Sequence, residues 1–131
     1  MKHILIVDDS PLIRRSLRNL LERRPQWKVC GEAENGQDAI EKAQQLHPDL
    51  IVIDLAMPVL NGLEASKVLK QLMPATPLVM FTTFTDTHIK EVALAAGVHV
   101  VVDKAEGPTS LIASIQELLL SKMPSRSDGT K

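Results

Sequence analysis

Five polar residues that could do chemistry stand close behind short apolar runs of the chain. Asp8 and Asp9 follow the first run, Asp54 and Thr82 each follow a later one, and Lys104 comes two residues after another. Carboxylates bind hard divalent cations and can act as nucleophiles, whereas an ammonium and a hydroxyl can hold phosphoryl oxygens. If the fold brings these five side chains together, they permit transfer of a phosphoryl group onto a carboxylate.

The apolar runs predict strands. Four of them are continuous, which is typical of strands buried on both faces of a parallel sheet. A fifth segment, from Trp27 to Ala33, mixes charged and apolar residues and favours a strand at the edge of the sheet. The four continuous runs are Ile4 to Val7, Leu50 to Ile53, Leu78 to Phe81 and Val100 to Val102.

Segments of helical periodicity separate these strands. The first helix is expected to begin at Pro11 with Ser10 as its N-cap, and its apolar stripe is taken to run from Leu12 to Leu21. Strict alternation of strands and helices predicts an α/β fold, a doubly wound five-stranded parallel sheet with helices on both faces. The later helices are expected at about 37–46, 63–72, 87–96 and 108–120.

The strand order 2-1-3-4-5 would place strands 1 and 3 side by side, so that Asp54 faces Asp8 and Asp9 beyond the carboxyl ends of the strands. At an effective dielectric near 20, two like charges about 4 Å apart repel by roughly 4 kcal/mol. A divalent cation would remove this conflict, and all-oxygen ligands favour Mg²⁺. We therefore expect a magnesium site at Asp9 and Asp54, with Asp8 contributing directly or through water, and Asp54 as the nucleophile. Lys104 and Thr82 would hold two further phosphoryl oxygens.

Each of these residues also has an ordinary structural role. Asp8 and Asp9 could complement the dipole of the first helix, Asp54 could be a turn residue, Thr82 a strand end and Lys104 a surface charge. Their convergence on one rim of the sheet is what favours a functional site.

Composition excludes several classes of function. The 131 residues suit one domain, and 15 basic against 16 acidic residues give a net charge of −1, without the basic excess of nucleic-acid or anionic-membrane binding. No apolar run approaches the roughly 18 residues of a membrane-spanning helix. The single cysteine, Cys30, suits a reducing compartment and is expected to be a small buried hydrophobe. We expect a soluble cytoplasmic domain.

Five segments, in the same order and spacing, resemble the receiver domain of bacterial two-component response regulators. They read ILIVDDSPLIRRSLRNLLE, CGEAENGQDAIEKA, PDLIVIDLAMPVLNGLEA, PLVMFTT and VVVDK, and the match covers about residues 2 to 121. The resemblance implies a flavodoxin-like, CheY-like fold and a Mg²⁺ cofactor. It also implies that Asp54 is the phosphoacceptor, Asp8 and Asp9 the acidic pair, Thr82 the switch hydroxyl and Lys104 the phosphate-contacting lysine. The implied partner is a sensor histidine kinase or a phosphotransfer protein.

The chain departs from the family pattern at several positions, among them Thr83, which stands at a site that is usually small. Val101 stands where an aromatic switch residue is usual, and Ala105 replaces the proline that often follows the lysine, so we expect a trans peptide bond there. Ala56 can offer a metal only its backbone carbonyl, and Phe84 could shield the acyl phosphate from water. We therefore predict slow self-dephosphorylation.

The middle segments are most similar to receivers that precede a LuxR-type DNA-binding domain. We expect a receiver domain over residues 1–122 and a polar stretch over 123–131 that is either a disordered tail or a truncated linker. The chain itself is expected to contact neither nucleic acid nor membrane. A homodimer that forms on phosphorylation is left open.

Three other functions are conceivable for this fold class. A Mg²⁺-dependent phosphohydrolase with an aspartyl-phosphate intermediate would want a second acid where Ala56 stands. A flavin-binding electron carrier would want more aromatic residues than 2%. A phosphorylation-independent interaction domain stays open.

The first helix carries a basic cluster that has two possible roles. It is either a solvated face or a surface that docks the phosphodonor. The cluster consists of Arg14, Arg15, Arg18, Arg23 and Arg24.

Overall fold

The computed structural model describes residues 1–121, so the predicted tail over 123–131 lies outside the described residues. Strands and helices alternate along the chain as the periodicity predicts, with one 3₁₀ turn at Lys104–Glu106. Within residues 1–121, no helix combines the length and the apolar character needed to cross a membrane. The elements are β1 Lys2–Val7, α1 Pro11–Leu21, β2 Trp27–Ala33, α2 Gly36–Leu46, β3 Leu50–Ile53, α3 Gly62–Leu72, β4 Leu78–Thr82, α4 Thr87–Ala95, β5 Val100–Asp103 and α5 Pro108–Ser121.

The five strands form one sheet in the order β2-β1-β3-β4-β5, and all four pairings are parallel. This confirms the predicted order. The mixed segment Trp27–Ala33 is an edge strand, as expected, with Lys28 exposed and Val29 buried. The continuous apolar runs β3 and β4 lie inside the sheet and are buried along their whole length.

Alternate residues of the strands feed two separate cores, one on each face of the sheet. Ile4 and Ile6 of β1 pack in the core that α1 and α5 cover, whereas Leu5 and Val7 pack in the core beneath α2, α3 and α4. The helices over the second core contribute mainly small residues, including Ala39, Ala43, Ala65 and Ala93. Helices therefore cover both faces of the sheet, and the strand ends are left as the place where a ligand could bind.

Helix α1 begins as predicted, because the Ser10 hydroxyl accepts the Ile13 N–H at 3.3 Å and Pro11 occupies the first turn. Its predicted stripe is wrong at one end. Leu17 and Leu21 are buried, but Leu12 is 70% exposed. Five residues at about 100° each place Leu12 roughly 140° away from Leu17, which turns it toward solvent.

Candidate functional site

The register of the two central strands sets Asp8 and Asp54 side by side. Val7 is paired with Ile53, and the next residue of each strand is an aspartate. The Asp54 N–H donates to the Val7 carbonyl at 3.0 Å, and the Asp8 N–H donates to the Ala33 carbonyl on the other side at 3.0 Å. Since neighbours in register on parallel strands point to the same face, the two carboxylates share the rim.

Three carboxylates form a cluster there. One oxygen from each of Asp8, Asp9 and Asp54 lies within 4.8 Å of the others. Asp8 and Asp54 are buried, with 2% and 7% of their surface exposed, while Asp9 faces solvent. Within residues 1–121 this is the one group of three or more side chains with metal-ligating spacing. Its donor set is all oxygen, which fits the Mg²⁺ expected from the sequence.

Lys104 reaches the same cluster from the far side of β4. Its Nζ donates to Asp8 Oδ2 at 2.9 Å and to Asp54 Oδ2 at 3.2 Å, and it stands 6.0 Å from the centre of the Phe81 ring. The Asp103 carboxylate accepts the Ala105 N–H at 2.9 Å and so fixes the turn that carries Lys104. The described residues contain no cis peptide bond, as expected for Lys104 and Ala105.

The electrostatics of the cluster follow from burial and from the single cation. Burial raises the pKa of Asp54; the charge of Asp8 raises it further, while Lys104 lowers it without cancelling the effect. Burial alone would lower the pKa of Lys104, but its hydrogen bond to Asp8 and the charge of Asp54 prevail and raise it. Ionising Asp54 therefore costs free energy that one ammonium does not fully offset.

Thr82 lies on the same rim, but its hydroxyl is bonded to the Phe84 amide and not to the carboxylates. Its side chain is fully buried at the end of β4, in register with Asp103, and its Oγ1 accepts the Phe84 N–H at 3.2 Å. One residue further along the same loop, the Thr85 hydroxyl donates to Asp103 Oδ2 at 3.1 Å. A hydroxyl that accepts one hydrogen bond can still donate its own proton, so Thr82 can bond a group on Asp54 if its side chain shifts toward the cluster.

The loop after β3 packs tightly against the start of α3. A Cβ added to Gly62 would lie 2.1 Å from the Asp54 carbonyl oxygen, and the Gly62 N–H donates to the Leu55 carbonyl at 2.8 Å. Only glycine allows this approach, so Gly62 holds the backbone of Asp54 in place. Ala56, in the same loop, is exposed, and Phe84 across the rim is 51% exposed.

Three contacts around Asp8 were not predicted from the sequence. The Ser10 N–H donates to Asp8 Oδ1 at 2.9 Å, and Arg14 Nη1 donates to the Asp8 backbone carbonyl at 2.6 Å. Arg14 Nε also donates to Glu32 Oε1 at 3.0 Å. A charged residue on an edge strand beside β1, opposite a helix rich in arginine, is the only sequence signal that pointed to this pairing.

The basic cluster extends beyond α1, because Arg14, Arg15 and Arg18 lie on the helix whereas Arg23 and Arg24 follow its last residue, Leu21, contrary to expectation. Its role in docking a phosphodonor stays a prediction. Arg14 and Arg18 both bond Glu32, the latter through Nε at 2.7 Å from Oε2. Arg24 instead stacks 5.1 Å from the centre of the Trp27 ring. Burial would raise the pKa of Glu32, but the hydrogen bonds from Arg18 and Arg14 outweigh it and lower that pKa.

Cys30 is half-buried on β2 and packs against the core beneath α2. Burial raises the pKa of its thiol, which disfavours the reactive thiolate. This agrees with the expectation of a small hydrophobic residue rather than a redox sensor.

This architecture and sequence match a known protein family. The family model of the response regulator receiver domain matches residues 4–116. The transcriptional regulatory protein LnrK of Bacillus subtilis is 40% identical over 97 residues, which are 74% of this chain and 44% of that protein. A protein-glutamate methylesterase/protein-glutamine glutaminase of Methanosarcina mazei is 42% identical over 108 residues, 81% of this chain and 30% of that protein. The chain thus spans less than half the length of these curated relatives.

Solved structures agree with the family match. A LuxR-family two-component response regulator from Aurantimonas superposes with a TM-score of 0.88 at 31% identity, over 92% of this chain and 86% of that one. The response regulator domain of Thermotoga maritima CheB gives a TM-score of 0.85 at 31% identity, over 91% and 96%. With the family model covering most of its length, the chain belongs to the response regulator receiver domains, the phosphoacceptors of two-component signalling.

Proposed function

We propose that Asp54 is the residue that accepts the phosphoryl group, from a phosphohistidine of a sensor histidine kinase or phosphotransfer protein, in a Mg²⁺-dependent reaction. The observation that carries the proposal is the shared cluster: Lys104 Nζ bonds both Asp8 at 2.9 Å and Asp54 at 3.2 Å, with Asp9 close by. Asp54 lies at the end of the central strand β3, between the acidic pair that follows β1 and Lys104, which follows β5.

In the transfer, a carboxylate oxygen of Asp54 attacks phosphorus in line with the phosphorus–nitrogen bond of the donor. The new oxygen–phosphorus bond forms as the phosphorus–nitrogen bond breaks, and that electron pair returns to the donor's imidazole. The imidazole leaves as the neutral ring because its other nitrogen keeps a proton. The product is an acyl phosphate on Asp54.

Asp8, Asp9 and Asp54 would hold the metal by their carboxylates, and Ala56 by its backbone carbonyl. Magnesium bound there supplies positive charge that offsets the negative charge of the phosphoryl oxygens in the transition state. Asp8 is already oriented, because its two oxygens accept from Ser10 and Lys104.

Lys104 pairs with a phosphoryl oxygen after transfer, and it needs little movement because its ammonium already contacts Asp54. Thr82 donates its hydroxyl proton to another phosphoryl oxygen, which requires its side chain to shift toward the cluster. The added charge, near −2 at neutral pH, is what favours this rearrangement.

The switch would act on the face formed by α4, β5 and α5. Displacement of the Thr82 loop frees space beside Val101, a partly buried residue that packs in the core under α4. Beryllofluoride, which mimics the phosphoryl group, should shift backbone amides over residues 85–120 in the parent and much less in Thr82→Ala. Unchanged amides in the parent would contradict the switch.

We further propose that the chain is a signalling phosphoacceptor that catalyses only its own phosphorylation and slow dephosphorylation. A phosphohydrolase is less well supported, since residue 56 is alanine and offers no second acid. The methylesterases among the relatives are much longer than this chain, which aligns with 25% and 30% of two of them. A receiver domain spanning 1–122, a cytoplasmic location, a homodimer on phosphorylation and the absence of nucleic-acid contact stay predictions.

The assignment of Asp54 is tested by chemical trapping. The chain is treated with acetyl phosphate or phosphoramidate and Mg²⁺, reduced with borohydride, which converts an aspartyl phosphate to homoserine, and digested for mass spectrometry. Homoserine at position 54 alone is expected. Homoserine at position 8 or 9 instead would contradict the assignment.

A further inference from the structure

We propose that Arg14, anchored by Glu32, is a positioning residue that holds the Asp8–Asp9 peptide so that both carboxylates face the metal; the inference rests on the proposed function. It assigns a role within the site to part of the α1 basic cluster. It also assigns Glu32, on the edge strand β2, an indirect role in metal binding.

The side chain of Arg14 bonds the peptide that joins the two acids. Arg14 Nη1 donates to the Asp8 carbonyl at 2.6 Å, and that carbonyl belongs to the peptide bond leading into Asp9. Asp9 is exposed, whereas Asp8 is buried. Arg14 therefore restrains the peptide plane from which the exposed Asp9 side chain projects.

Arg14 is itself held from the other side. Its Nε donates to Glu32 Oε1 at 3.0 Å, and the second oxygen of Glu32 accepts from Arg18 at 2.7 Å. The Arg14 side chain is only 16% exposed, and that of Glu32 28%. A planar guanidinium can bond a carboxylate and a carbonyl at once in fixed directions, which a lysine ammonium cannot reproduce.

The anchor is continuous with the sheet. Glu32 is paired in register with Ile6, two residues before Asp8, and its backbone carbonyl accepts from Lys42 of α2. Neither Arg14 nor Glu32 is a proposed metal ligand. Their effect on the metal passes through the backbone of Asp8, as outer groups around metal sites commonly act.

If Arg14 acted only through its charge, its removal would have the opposite effect on Mg²⁺ affinity. A nearby arginine charge repels a divalent cation, so its removal should tighten metal binding. Positioning predicts weaker binding whether or not the charge is kept. The two roles are separated by comparing a variant that keeps the charge with one that removes it.

The experiment is a Mg²⁺ titration of the nitrogen-labelled full chain by NMR, followed at the amides of residues 9 and 10. Arg14→Lys and Arg14→Gln are compared with the parent and with the matched variants Arg15→Lys and Arg15→Gln on the exposed side of the same helix. We expect both Arg14 variants to bind Mg²⁺ about tenfold more weakly. Their metal-free amide positions at residues 9 and 10 should also move, while the Arg15 variants match the parent.

Parent-like affinity in both Arg14 variants, or tighter binding in Arg14→Gln with none lost in Arg14→Lys, would overturn the proposal. Glu32→Gln leaves residue 14 unsubstituted but weakens its anchor, so it should show a smaller loss in the same direction and decides the matter if an Arg14 variant does not fold. If the parent itself binds no Mg²⁺, the proposed function fails as well. If the parent binds and the variants equal it, only the positioning role fails.

Discussion

Lys104 and Asp54, 50 residues apart in sequence, meet at 3.2 Å on the rim of the sheet, and the same ammonium bonds Asp8 at 2.9 Å. One cation is thus shared by two buried carboxylates with a third beside them. The arrangement leaves an excess of negative charge at the point where a metal and a phosphoryl group are expected. The first two predictions follow from this imbalance.

Asp54→Asn should stabilise the metal-free protein at neutral pH. Because the pKa of Asp54 is raised in the folded state, its ionisation lowers the free energy of unfolding as pH rises. The cost begins above the ordinary aspartate value of about 3.9 and is complete above the raised value. Thermal unfolding with chelator should give a melting temperature a few degrees above the parent at pH 7, and equal values at pH 3. A parent more stable than the variant at pH 7 would contradict the raised pKa.

Lys104→Gln should destabilise the metal-free protein, because it leaves the carboxylates without their cation. The pKa of Lys104 is raised in the folded state, so its contribution is fully present at pH 7 and is lost only as pH rises through that raised value. We expect a loss of about 1–3 kcal/mol in urea unfolding. The control is Lys90→Gln, at an exposed position of α4.

The double variant Asp54→Asn/Lys104→Gln sharpens this result. If the two side chains interact as their distance indicates, Asp54→Asn should stabilise the Lys104→Gln protein more than it stabilises the parent, because ionised Asp54 costs more without its cation. Strict additivity of the two changes would show that the contact contributes nothing.

Gly62→Ala should disturb the site from behind, since the new methyl group would lie 2.1 Å from the Asp54 carbonyl oxygen. That neighbour is backbone and cannot rotate away, so we expect a loss of about 1–3 kcal/mol and slower phosphorylation by acetyl phosphate. Gly31→Ala is the matched control, because its Cβ would lie 2.6 Å from the end of the flexible Leu46 side chain and in ordinary contact with Leu5, and would meet no backbone atom. Equal effects of the two substitutions would argue against the role given to Gly62.

Ala56→Asn should speed loss of the phosphoryl group several-fold. The exposed position lies two residues after Asp54, where an amide could orient an attacking water that alanine cannot. Decay of the phosphorylated protein is followed by intact mass after removal of the phosphodonor. Ala75→Asn, in an exposed turn at the opposite end of the sheet, is the control. A variant no faster than the parent would contradict the explanation of slow dephosphorylation.

The sheet and the meeting of the acids could be predicted because both follow from local patterns. The apolar runs fixed the strands, the alternation fixed their direction, and one residue past Val7 and Ile53 the register places Asp8 beside Asp54. The order of the strands came from the expectation that such sheets reverse at a switch point. The three aspartates lie together as the strand order predicts, while their roles stay predictions.

The contacts that depend on how a helix sits against the sheet could not be predicted. Whether Arg14 faces solvent or Glu32 depends on the rotation of α1 over β2, which periodicity gives only to within a residue or two. The same uncertainty misplaced Leu12. The hydroxyl of Thr82 is a further case, because a side-chain torsion angle sets where its oxygen lies and the sequence does not give that angle.

The central claim, that a carboxylate held by Lys104 and the acidic pair accepts a phosphoryl group, is tested most directly by intact mass. Parent and Asp54→Asn are each incubated with acetyl phosphate, with Mg²⁺ and with chelator. The account predicts a gain of one phosphoryl group in the parent with Mg²⁺ and in none of the other three samples. The same gain in Asp54→Asn, or none in the parent, would contradict it.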